Sequence, residues 1–189
     1  VSGQILHLLR HAAVERPGLY LGRTDEPCTE GGRAACLARV ADCEFERIVS
    51  SPLVRASEVA NGIAAARALA VEEDAAWMEL DFGAWEGRTA ADIDEANLRP
   101  FYDDPDAHPP PGGERWTALA RRVAGAIARL DARATLVVTH SGPMRAALAG
   151  LCGFDRRQVW AFDLPYAALL SLRIHPGAPA IAQIVGLRT

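Results

Sequence analysis

Arg10 and His11 stand together at the end of the apolar run Ile5 to Leu9. Arg55 follows a second apolar run through Ser50-Ser51-Pro52-Leu53, and His140 follows a third, Leu136-Val137-Val138-Thr139. Short apolar runs of this kind read as buried strands, and open α/β sheets place their ligands at the carboxyl ends of strands. Two arginines and two histidines at such ends point to a site for a phosphoryl dianion, because the planar guanidinium fork matches paired phosphate oxygens as an ammonium does not.

A phosphomonoester needs its nonbridging oxygens neutralised, a nucleophile in line with the leaving oxygen, and a proton for that oxygen. Arg10 and Arg55 are each expected to fork onto two phosphate oxygens. His11 is able to attack phosphorus through one ring nitrogen if the other is held by an acceptor. His140 is expected to donate to the same oxygens, helped by amides at the helix start around Gly142. Glu79, between Met78 and Leu80, is the candidate proton donor, with Asp81 and Glu86 as rivals.

These residues need a scaffold of alternating strands and helices, which the apolar pattern supplies as a layered α/β domain. Strands are expected at Ile5 to Leu9, Arg47 to Ser50, Leu69 to Glu72, Thr135 to Thr139, Ala168 to Ile174 and Ala180 to Val185. Helices are expected from a Thr29 cap to Ala41, from a Ser51-Pro52 cap and first turn to Ala65, from Arg115 to Leu130, and from Met144 to Leu151 behind Gly142-Pro143. Two long loops, Ala12 to Cys28 and Phe82 to Gly113, interrupt the rhythm and are expected to wall the site. No linker divides the chain, so residues 1–189 are read as one domain.

Composition removes other chemistries. All 20 basic residues are arginine, so the chain has no lysine for a Schiff base or a P-loop. A formal charge of −4 argues against a general affinity for nucleic acid. The lack of a long apolar segment or a basic leader predicts neither a membrane span nor a signal peptide, and a cytoplasmic location. Cys28, Cys36, Cys43 and Cys152 lack metal-like spacing and are read as thiols. His7 and His11 lie on one strand face, roughly 13 Å apart, too far to share a metal. Arg121-Arg122 and Arg156-Arg157 read as solvated faces.

Arg10-His11, Thr24-Asp25, Ser50-Ser51-Pro52-Leu53-x-Arg55-Ala56, Glu79-x-Asp81-Phe82-Gly83-x-Trp85-Glu86-Gly87 and Thr139-His140-Ser141-Gly142 together resemble the histidine phosphatase superfamily, the phosphoglycerate mutase-like proteins. The resemblance implies a three-layer α/β/α fold with a mostly parallel sheet, a transient phosphohistidine, and no metal or other cofactor. It makes His11 the nucleophile, puts Arg10, Arg55 and His140 in the phosphate pocket, and makes Glu79 the acid and base. Arg23, Thr24, Ser141 and Trp85 fall on its substrate side.

Within the superfamily, Asp81 to Gly87 and Pro110-Pro111-Gly112-Gly113-Glu114 look most like the α-ribazole phosphatases of cobalamin assembly, which implies a small phosphorylated metabolite as partner. Broad-specificity and sugar-phosphate phosphatases share parts of this pattern. A phosphoglycerate mutase and a binding protein without turnover are further alternatives, and a homodimer is one alternative for the assembly. The pattern departs at Ala12, where glycine is usual, at Ala13-Val14 in place of Glu-Thr, and at Pro17 in place of a phosphate-contacting asparagine.

Overall fold

In a computed structural model, which describes residues 3–189, six strands form one sheet in the order β3-β2-β4-β1-β5-β6. They are β1 (Gln4–Arg10), β2 (Arg47–Ser50), β3 (Val71–Glu73), β4 (Thr135–Thr139), β5 (Leu169–His175) and β6 (Ile181–Arg188). β1, β4, β2 and β3 are mutually parallel, and β5 runs antiparallel to both of its neighbours. All six predicted strands are present, with ends shifted by up to three residues.

The central strands read as unbroken apolar runs because both of their faces are covered. Leu6, Leu8, Val49 and Val137 point into a core shared with α4 (Trp116–Ala128) and α5 (Ser141–Cys152). Their alternates Leu9, Ile48, Leu136 and Val138 point into a second core under α1 (Glu30–Arg39) and α2 (Val54–Arg67). The period of two along each strand thus produces the three layers.

Helix starts follow local chemistry. Thr29 caps α1 as predicted, its hydroxyl accepting from the Gly32 amide at 3.0 Å. The second helix differs from expectation: Ser51 is not its cap, and α2 begins at Val54. The Ser51 hydroxyl is turned to His140 instead, and Asp25 Oδ1 takes the Val54 amide at 2.7 Å, a cap supplied from another loop. The stretch 82–113 is also more than a loop. It holds α3 (Glu95–Asp103), capped by Asp94, whose internal Pro100 hid it by removing one backbone donor in mid-helix.

Candidate active site

β2, β4 and β1 are adjacent and parallel, so Ser51, His140 and His11 emerge side by side at one sheet edge. The pairing runs one residue past the strands: the His11 amide donates to Thr139 O at 2.8 Å and the Ser51 amide to Val138 O at 2.9 Å. His11 O accepts from the Ala167 amide at 3.2 Å, which fixes its backbone from the β5 side.

His11 is buried, and its Nδ1 lies 2.8 Å from Ala12 O. A carbonyl only accepts, so Nδ1 carries the proton and Nε2 keeps its lone pair. Burial, then the Arg55 and Arg10 charges, push the His11 pKa well below 6.5, against a smaller opposing effect of the Ala12 bond. The ring is therefore neutral near pH 7, as a nucleophile must be. The His140 ring is centred 4.9 Å away. Burial pushes its pKa down too, followed by the charges of His11, Arg55, Arg10 and Arg122.

Both ring nitrogens of His140 are engaged. Nδ1 accepts from Arg55 Nε at 3.3 Å, so Nε2 holds the proton and donates to Ser51 Oγ at 2.8 Å. Arg55, fully buried, also donates through Nη1 to Thr24 O at 2.8 Å and through Nη2 to Leu21 O at 2.7 Å and Gly22 O at 3.1 Å. Four of its five N–H groups are thereby occupied, which corrects the expectation of a two-pronged fork from Arg55. The loop carbonyls are fixed acceptors that a buried guanidinium must satisfy.

Arg10 keeps the freer edge. Its Nη1 donates to Leu164 O at 2.6 Å, while its Nε is buried with no acceptor among the described residues. The guanidinium carbon sits 4.4 Å from the centre of the Tyr166 ring, which in turn packs 5.4 Å from His11. Tyr166 lies in no motif, and nothing in the sequence marks its place beside His11.

Glu79 is buried at the start of α5, where Gly142 N donates to Oε1 at 3.1 Å and Ser141 Oγ to Oε2 at 3.2 Å. The helix-start amide expected to face phosphate is thus given to Glu79, a position that suits a carboxylate. The fit is close, because a Cβ on Gly142 would collide with Glu79 Oε1. Arg122 holds the same segment: it donates to the carbonyls of Ala76, Met78 and Glu79 and forks onto Glu114 at 2.8 Å. It is a half-buried clamp, not the solvated residue its Arg-Arg context suggested.

The rivals for the acid role are occupied elsewhere. Glu86 accepts from the amides of Gly22, Arg23, Thr24 and Phe82 and from the Thr24 hydroxyl. Burial alone would raise its pKa, but the Thr24 hydroxyl and these amides outweigh it and hold the carboxyl below its usual value. Asp81 caps the Gly83 amide at 2.8 Å and lies 3.5 Å from Arg23, which also approaches Glu114 at 3.8 Å. Thr24 therefore shapes the loop that holds Arg55. Pro17 sits in an exposed turn beside Gly18, where φ is +86°.

Beyond Glu79 opens a cavity lined by Tyr20, Phe82, Phe101, Tyr102 and Trp160, with Arg145 and Arg156 among them. Ser141 is on its rim as expected, whereas Trp85 is buried behind Tyr20 and Phe101 and does not line it. Arg145 was missed. Its signal is helical period, four residues after Ser141 and so on the same face of α5.

Fold and site together define a layered α/β protein that gathers two histidines and two arginines at the carboxyl ends of its parallel strands. The model of the histidine phosphatase superfamily (branch 1) matches residues 6–185, and the chain belongs to that superfamily. It is similar to phosphoserine phosphatase 1 of Hydrogenobacter thermophilus, 33% identical over 175 residues covering 86% of this chain and 83% of that one. It is similar to the adenosylcobalamin/alpha-ribazole phosphatase of Salmonella typhimurium, 31% identical over 184 residues and 91% of each chain. The solved alpha-ribazole phosphatase from Shigella flexneri superposes with a TM-score of 0.85 at 27% identity, covering 98% of this chain and 96% of that one. These relatives are phosphatases, and the chain is an enzyme of that class. No described helix is long and apolar enough to cross a membrane.

Proposed function

We propose that the chain hydrolyses a small phosphomonoester through a phosphohistidine on His11, with α-ribazole 5′-phosphate as its favoured substrate. The observation that carries the mechanism is the His11 ring, neutral, with Nδ1–H tied to Ala12 O and Nε2 free. In the first step Nε2 attacks phosphorus, the P–O ester bond breaks, and Glu79 gives its proton to the departing alkoxide. In the second step Glu79 takes a proton from water, the water oxygen attacks phosphorus, and the P–N bond breaks to release inorganic phosphate and neutral His11. Arg10 offers Nε and Nη2 to the nonbridging oxygens, Arg55 adds its buried positive charge, and neutral His140, held between Arg55 and Ser51, packs beside His11.

The aromatic cavity supports the substrate assignment. Its rings suit an aromatic leaving alcohol such as a benzimidazole riboside, and offer little to the short polar body of phosphoserine. Specificity constants for α-ribazole 5′-phosphate, phosphoserine and phenyl phosphate test it. The expected order puts α-ribazole 5′-phosphate first by about tenfold or more, the scale of one good pocket contact. A higher value for phosphoserine would overturn the substrate, and turnover surviving in His11→Ala would overturn the mechanism.

A further inference from the structure

Arg145 is 9% exposed on α5, and its guanidinium carbon lies 4.3 Å from the centre of the Trp160 ring. Among the described residues its one acceptor is Phe162 O, at 3.2 Å from Nη2, and its buried Nε has none. No described carboxylate comes within ion-pair distance of it. Burial is the largest influence on it and disfavours the cation; of the smaller charge effects, Glu79 supports the cation, Arg10 opposes it and Asp163 supports it. Arg156, the other arginine of the cavity, is already paired with Asp104 at 2.8 Å.

Charge and hydrogen bonding therefore separate at Arg145. Glu79, in the same cavity, supplies compensating charge at a distance, while a buried N–H goes without an acceptor. A buried donor left unmet is costly, so its position is best explained by an acceptor that arrives with the substrate. A carboxylate on that substrate would have to shed its water among aromatic walls. A neutral acceptor satisfies the N–H at a smaller desolvation cost.

We infer that Arg145 is a specificity-determining residue that donates a hydrogen bond to an uncharged acceptor, a ring nitrogen or hydroxyl, on the aromatic leaving alcohol. This rests on the proposed phosphatase reading and narrows its substrate class. Trp160 holds the guanidinium flat, which fixes the direction of the donor. A bulky aromatic ester without such an acceptor gains only the packing.

The test measures kcat and KM of wild type, Arg145→Met and Arg145→Lys on α-ribazole 5′-phosphate, phosphoserine and phenyl phosphate. In Arg145→Met the kcat/KM for α-ribazole 5′-phosphate should fall about 10- to 100-fold, the loss expected for a hydrogen bond from a charged donor, mainly through KM. Phenyl phosphate, which has no distal acceptor, should change less than about threefold. Arg145→Lys guards against a methionine variant that fails to fold, and should show the same selectivity with a smaller loss. Equal losses on all three esters, or a loss confined to phosphoserine, would overturn the inference. Wild-type turnover of phenyl phosphate but not of α-ribazole 5′-phosphate would sink the substrate assignment alone. Adenosine 5′-monophosphate then replaces it, and the Arg145 inference stands or falls on the same ratio.

Discussion

The phosphoryl centre and the cavity beside it are built on opposite plans. Around His11 much of the polar framework is held by main chain: Ala12 O holds the His11 ring, Leu21, Gly22 and Thr24 carbonyls hold Arg55, and the Gly142 amide holds Glu79. Around the cavity, side chains from separate loops and helices lean on one another: Tyr20 with Phe82, Trp85 with Phe101, Tyr102 with Trp160. Reaction chemistry rests on strand ends whose positions the sheet dictates. Selectivity rests on contacts that exchange residues without disturbing the sheet.

Breaking the first region should cost turnover. The largest expected effect is that of Glu79→Gln, which removes the proposed proton donor and should lower kcat by about 10²- to 10⁴-fold on an ester with a poor leaving group. Stopped assays of phosphate release measure it, and a kcat within threefold of wild type would remove Glu79 from the mechanism. Gly142→Ala should follow at about 10- to 100-fold, since its methyl displaces the carboxylate without altering a charge and small misplacements weaken catalysis on this scale. Arg122→Met acts on the same residue from behind and should lower kcat with little change in KM.

The neutral histidines also tie stability to pH. Their folded pKa values lie below 6.5, so the unfolded chain binds more protons than the folded one once pH falls below that value. Stability is then complete above about 6.5 and declines as pH drops toward the depressed folded values. Thermal melts from pH 7.5 downward should show Tm falling on the acid side, less so in His140→Asn. A Tm that rises there would mean the imidazoles are charged in the fold.

Breaking the second region should alter preference instead. Trp160→Ala removes a ring that is 55% exposed and backs Arg145, and should raise KM for an aromatic ester about three- to tenfold with kcat on phenyl phosphate unchanged. Equal loss of kcat on both esters would erase the distinction between the two regions.

The same contrast explains what was legible in the sequence. Arg10, His11, Arg55 and His140 could be located because apolar runs announce strands and the reacting groups follow them directly. Tyr166 could not, since its place over Arg10 depends on how the chain enters β5. Ser51 was visible but its role was not, because a serine before a proline reads as a helix cap until His140 is seen to claim its hydroxyl. Arg122 looked like surface because a charged pair on a helix usually is, and only the tertiary fold brings the carbonyls of 76, 78 and 79 within its reach. The cavity walls carried least signal, being aromatic residues from segments that no local period connects.

The central claim is that His11 carries the phosphoryl group. Rapid acid quench of the enzyme during turnover of a ³²P-labelled ester, followed by peptide mapping, tests it most directly. Acid-labile, base-stable label is expected on the peptide containing His11, and none in His11→Ala. Label on another residue, or turnover with none on His11, would contradict it.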